Sequence, residues 1–196
     1  MIPFRLRGRA REPSVIAISD LEENMPERDD LLALVTDQRT NFLFTVENLD
    51  DTQARARTTV SELTLGGLLK HLGLVQRSWL DVVAGTAPAK IDWADLDPDG
   101  NRMTDAEKLP ELLEAFHAAA ADFDRTVREE ADLDREVTLP EYPWSPPEPV
   151  RWTVRHVLWH IFREITHHSG HADIIREALD GASTTLRMKE AAEKGQ

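Results

Sequence analysis

Ten residues near the C-terminal end, EITHHSGHAD (164–173), hold three histidines and two acids. Imidazole and carboxylate side chains ligate divalent metals, and imidazole carries protons near neutral pH. On a helix at about 100° per residue the three histidines separate. Val154, Leu158, Ile161, Ile165, Ala172, Ile175 and Leu179 form an apolar stripe. His168 falls in the gap of that stripe, between Ile165 and Ala172, and is expected to point inward. Glu164 lies roughly 40° to one side and His171 roughly 60° to the same side. His160 sits a turn further back, at the edge, and His167 is turned away by roughly 100°. Glu164, His168 and His171 are therefore able to converge, and His167 is not.

One helix rarely completes such a site. The stretch LTLGGLLKHLGLVQRSWLDVVAG (63–85) predicts another helix, with Leu65, Leu68, Leu72, Val75, Trp79 and Val82 as its stripe. His71 stands beside Leu68 and Leu72. It reaches the same cavity if the two helices face each other. One histidine from one helix and two ligands a turn apart on another is a bundle arrangement for divalent metals. Such donors suit zinc, nickel, iron or manganese better than calcium. Three protein ligands leave positions open for water or substrate. The same spacing also fits a polar bundle edge, with Glu164 paired to Arg163 or Arg176. His117 and His156 occupy surface-like positions and receive no role.

The remaining elements follow from periodicity and punctuation. Residues 27–50 predict a first helix carrying Leu32, Val35, Phe42, Phe44 and Val46, with acids crowding its start. The polar run after it, 50–62, breaks the pattern. Thr64 and Gly85 bracket the second helix as cap and stop. Residues 86–103 read as a solvated acidic loop, since their aspartates lack the twelve-residue calcium pattern. Thr104 and Glu107 form a capping box for a third helix to Glu130, although Pro110 shifts its true start. Residues 131–150 make a connector with five prolines, of the length that often covers a site. The fourth helix is expected from about Trp152 to Leu179, ended by Gly181. No strand pair, phosphate loop or repeat is evident. Four amphipathic helices imply an all-α four-helix bundle. The expected organisation is an N-terminal tail or arm over 1–27, the bundle over 28–181, and a C-terminal tail over 182–196.

Composition narrows the function. The net charge is -13, which repels phosphate backbones and argues against nucleic acid as a partner. No apolar run approaches the roughly 20 residues of a membrane span. The start is basic but lacks a secretion signal, so a cytoplasmic location is expected. There is no cysteine. Disulfides, zinc–thiolate sites and a cysteine nucleophile are excluded, and any thiol must come from a cofactor or substrate.

RWTVRHVLWHIFREITHHSGHADIIREALDG (151–181) resembles the last-helix signature of the DinB-like superfamily, in particular its mycothiol-dependent transferase branch. LTLGGLLKHLGLVQRSWLDVVAGTAP (63–88) resembles the second helix of the same branch, and the likeness extends over roughly 27–181. It implies a four-helix bundle of DinB type, often a homodimer. It implies a divalent metal, zinc foremost, held by His71, Glu164 and His168. Arg163 departs from the pattern, standing where the branch usually has an acid, while Glu164 is retained. The implied activity is transfer of mycothiol, or a related low-molecular-weight thiol, to a small electrophilic substrate. His171 or His160 would then shuttle the proton, with His171 also eligible as an alternate ligand. The competing expectation is a non-catalytic, metal-stabilised bundle serving as a stress-response or interaction module.

Overall fold

Glu27, Asp29 and Asp30 open the first helix, α1 (Glu27–Val46), where negative charge offsets the partial positive charge of exposed amides. The computed structural model describes residues 27–97 and 99–194, so all but the last residue of the expected N-terminal arm lies outside the described residues. A short helix, α2 (Asp51–Arg55), follows, and then α3 (Leu65–Ala84), α4 (Leu109–Glu129), α5 (Val154–Asp180) and α6 (Thr184–Lys194). α1, α3, α4 and α5 form a four-helix bundle. α3 packs most extensively on α4, α1 on α5, and α3 on α5.

The termini of α3 and α5 form as the sequence predicts. The Thr64 hydroxyl accepts from the Gly67 amide, and that of Thr153 accepts from the His156 amide. Gly85 and Gly181 end the two helices at φ of 73° and 78°, a conformation that favours glycine. The core is one cluster, with Phe42, Phe116, Leu72, Leu158, Ile161 and Ile165 fully enclosed. Gly73 faces the Phe116 backbone of α4, where a β-carbon would fit in ordinary van der Waals contact at 3.6 Å. Burying each such large side chain contributes about 2 kcal/mol relative to exposure.

Five sequence expectations change. Leu31, not Leu32, is the buried first step of α1, and Arg39 completes its inward face. Arg39 donates to Gln76 at 3.1 Å and Asp124 at 2.7 Å, tying α1, α3 and α4 together in the interior. The polar run after α1 contains α2, capped by Asp50 in a reciprocal box with Gln53. α4 begins at Leu109 because Pro110 occupies its first turn. The Thr104–Glu107 box instead closes a turn ahead of it, and the Asp51 carboxylate accepts from the Leu109 amide at 2.8 Å. Finally, a strand pair exists. β1 (Glu136–Thr138) runs antiparallel to β2 (Arg151–Thr153), with Val137 opposite Trp152. Three residues are too few to show an alternating pattern. Trp152 therefore belongs to a strand, and the last helix starts at Val154. Residues 182–196, expected as a tail, carry α6, which packs on α1 through an Arg187–Glu47 ion pair.

Candidate metal centre

Helices α3 and α5 bring His71, Glu164 and His168 together. One ligand atom from each lies within 4.8 Å of the other two. His71 Nε2 is 3.9 Å and His168 Nε2 3.7 Å from Glu164 Oε2. Atoms bound to one ion at about 2.1 Å stand roughly 3.0–3.4 Å apart, so the two histidine–glutamate distances need to shorten by roughly half an ångström, and the group as a whole by up to about an ångström or more, to close on a cation. Two imidazoles and a carboxylate are a donor set for a transition metal. The side chains are 15–23% exposed, so the group is sheltered but reachable.

The wheel places His168 one step off. Ser169 is the buried residue of the stripe and back-bonds to the Ile165 carbonyl at 2.8 Å. His168 lies beside it, turned toward His71, with ring centroids 4.8 Å apart. This position suits an imidazole better than the apolar core would, since its Nδ1 meets His171 and its Nε2 faces the Glu164 carboxylate at 3.7 Å.

Burial holds the His71 ring below its ordinary pKa, against the pull of Glu164 and a hydrogen bond with Asn101. His168 is depressed to about 4, first by burial and then by His71 and His167, with Glu164 opposing. Both rings are neutral at pH 7, the form in which imidazole binds a metal.

His171 stands on the far side of His168, with the two Nδ1 atoms 3.3 Å apart. It is not among the three converging donors. If His168 Nε2 offers a lone pair toward Glu164, its Nδ1 carries the proton and points at His171. His160 approaches from the other direction, its Nε2 3.7 Å from Glu164 Oε1. Arg163 Nη2 donates to His160 Nδ1 at 2.8 Å. An arginine can only donate, so the His160 proton resides on Nε2, facing the carboxylate. Burial, and then Arg163, lower the His160 pKa and keep the ring neutral. His167 is exposed, as expected, and so are His117 and His156.

Three neighbours were not visible as site residues in the sequence. Trp79 lies edge-on to His160 at 4.5 Å and stacks on Trp152 at 5.0 Å and 7°, so two tryptophans wall His160. Asn101 reaches His71 from the acidic loop. Lys70 fixes that loop on α3, donating to the Asp99 carbonyl at 3.0 Å and pairing with Glu107 at 2.9 Å. The helical spacing of Trp79 from His71 was a usable signal; the loop contacts had none. A cavity of about 660 Å³ lies between the end of α1 and the start of α4 and shares no residue with His71, Glu164 and His168. Donor chemistry, not cavity size, marks this site.

Fold and site together define a helical-bundle protein of the DinB-like type, with a His, His, Glu group between its second and last long helices. The chain belongs to the mycothiol S-transferase family, whose profile matches residues 30–181. A crystal structure of a conserved protein from Enterococcus faecalis has the same fold, at a TM-score of 0.62 and 16% identity, covering 81% of this chain and 100% of that one. That likeness speaks for the fold alone. No curated protein matches the chain. Among the described residues, no helix is long and apolar enough to cross a membrane.

Proposed function

We propose that the protein is a metal-dependent S-transferase that joins mycothiol, or a related low-molecular-weight thiol, to a small electrophile. The observation that carries this reading is the convergence of His71, Glu164 and His168 within 4.8 Å in a member of this family. The chain has no cysteine, so the thiol of such a reaction would come from a cofactor or substrate. A divalent ion on these donors, zinc foremost, with nickel, iron or manganese as alternatives, would stabilise a thiolate near neutral pH.

The chain's own residues would do the rest. The incoming thiol gives up its proton, and its sulfur bonds to the electrophilic carbon as that carbon's bond to a leaving group breaks, the pair departing with the group, or as a π pair shifts to the adjacent carbon, which then takes up a proton. His160 would exchange that proton at Nδ1, the nitrogen that carries its lone pair, once the exposed Arg163 side chain releases it, while its Nε2–H stays turned toward Glu164. His171 orients His168 through the Nδ1 contact, as the outer partners of metal-bound histidines do. That placement favours an open site over one closed by a fourth protein ligand, and so an enzyme over a purely structural metal module. A cytoplasmic homodimer acting on small molecules completes the reading.

Metal titration by calorimetry, with turnover of mycothiol and a fluorogenic alkyl halide, tests the proposal. Wild-type protein should bind one divalent ion per chain. His71→Ala and His168→Ala should each lose at least tenfold in metal affinity, and thiol-dependent turnover with it. Absence of stoichiometric binding for all four metals would overturn the reading.

A further inference from the structure

A second, smaller cavity of about 230 Å³ opens at the C-terminal end of α3, between it and the two long connectors, and shares with the surroundings of the centre only Trp79. Trp79, Tyr142, Pro88, Pro140 and Ile91 supply most of its walls. Its shape is built by the backbone. The Ile91 amide donates to the Glu141 carbonyl and the Glu141 amide to the Ala89 carbonyl, both at 2.9 Å, so the two connectors are stitched together across its mouth. Tyr142 is in turn stacked on Trp144 at 5.0 Å and 18°, and Trp93 leans on Trp144 at 5.5 Å. Among the described residues, the one charged side chain lining the cavity is Asp81. Its Oδ1 receives the Thr86 hydroxyl at 3.2 Å, which holds it in place.

We propose that this cavity binds a compact, uncharged aromatic ring, the non-reacting part of the electrophile, and that Asp81 makes it reject anionic analogues. The volume argues for one ring, since a cavity of about 150 Å³ suffices for benzene whereas drug-sized ligands occupy roughly 300 Å³ or more. Indole and phenol walls favour an aromatic guest through edge and face contacts. A carboxylate guest would lose hydration to largely apolar walls, with the like charge of the exposed Asp81 at the rim and no lining cation to pair with it. Trp79 connects the cavity to the chemistry: it lines the cavity and also touches His160, which faces Glu164. A ring seated there stands one tryptophan away from the proposed proton carrier. The catalytic meaning of the cavity rests on the S-transferase reading, but its ability to bind a ring does not.

The test is equilibrium binding of benzamide and benzoate to full-length, metal-free protein, followed by tryptophan fluorescence and ligand-observed NMR. Benzamide should bind about tenfold or more tightly than benzoate. Asp81→Asn should shrink that preference to less than about threefold. Ala87→Phe, which fills the cavity from its wall, should abolish benzamide binding. Ser78→Trp, on the exposed side of α3, is a second blocking variant in case Ala87→Phe does not fold. Equal binding of the two probes, no binding of either, or a preference that survives Asp81→Asn would each overturn the inference. Benzamide binding that persists in a folded blocking variant would overturn it too. If ring binding fails while metal titration succeeds, this inference falls and the S-transferase reading stands; the opposite pair of results does the reverse.

Discussion

At the scale of single residues, the state of the imidazoles governs what the centre can do. His168, depressed to about 4, takes its proton in the folded protein well below the ordinary value of 6.5. Between these two values the unfolded chain binds the proton and the folded chain does not. Metal-free stability is therefore full above pH 6.5 and falls as the pH drops from 6.5 toward 4. The lowered values of His71 and His160 act in the same direction. Urea midpoints of metal-free protein across this range should decline, and His168→Gln should flatten the decline; a flat wild-type profile would contradict the assignment. That Glu164 and His168 share a side of the helix and that His167 turns away was legible from helical angles, which also grouped His171, a residue outside the three converging donors. That Ser169 takes the core step was not, because a one-residue offset of about 100° leaves His168 still beside the stripe. His160 read as an edge residue because the tryptophans that enclose it arrive from another helix and a strand.

At the scale of elements, the acidic loop shows what periodicity cannot reach. Its composition reads as solvated, and its aspartates are largely exposed. Yet its end lies flat on the first turn of α3, where Gly66 and Gly67 leave no side chain. A β-carbon on Gly67 would sit 2.4 Å from the Asn101 carbonyl, and one on Gly66 would sit 2.5 Å from the Met103 sulfur. Gly67→Ala would normally gain helix stability; here it should cost about 1–3 kcal/mol by displacing the loop. Chemical denaturation measures that cost. A nitrogen chemical-shift change at Asn101 should accompany it, and a stabilised variant would refute the packing argument. The caps of α3 and α5 were legible, because Thr64, Thr153, Gly85 and Gly181 act through local geometry. Helix α2 and the β1–β2 pair were not: each is five residues or fewer and is held by contacts distant in sequence. For the same reason, the five-proline connector gave no sign that Glu141 would pair with the acidic loop.

At the scale of the whole molecule, apolar stripes were enough to reveal the bundle, because the 3.6-residue period fixes which faces meet. They did not reveal the buried Arg39, Gln76 and Asp124 network, since an arginine in an apolar gap reads as a break in the pattern. The proposed donors are spread so that His71 and Glu164 lie on opposite halves of the sequence, separated by the acidic loop, all of α4 and the proline-rich connector. An ion held between them would close that long stretch into a ring in any state that retained the coordination. For a chain without cysteines it would be the counterpart of a disulfide: a reversible tie on the unfolded ensemble, set by metal supply instead of redox potential. Chelation should then lower the unfolding temperature, and the size of the drop should track the free metal concentration before chelation. On this view the centre has a second consequence: the supply of metal sets how long the folded chain survives, as well as whether it can react.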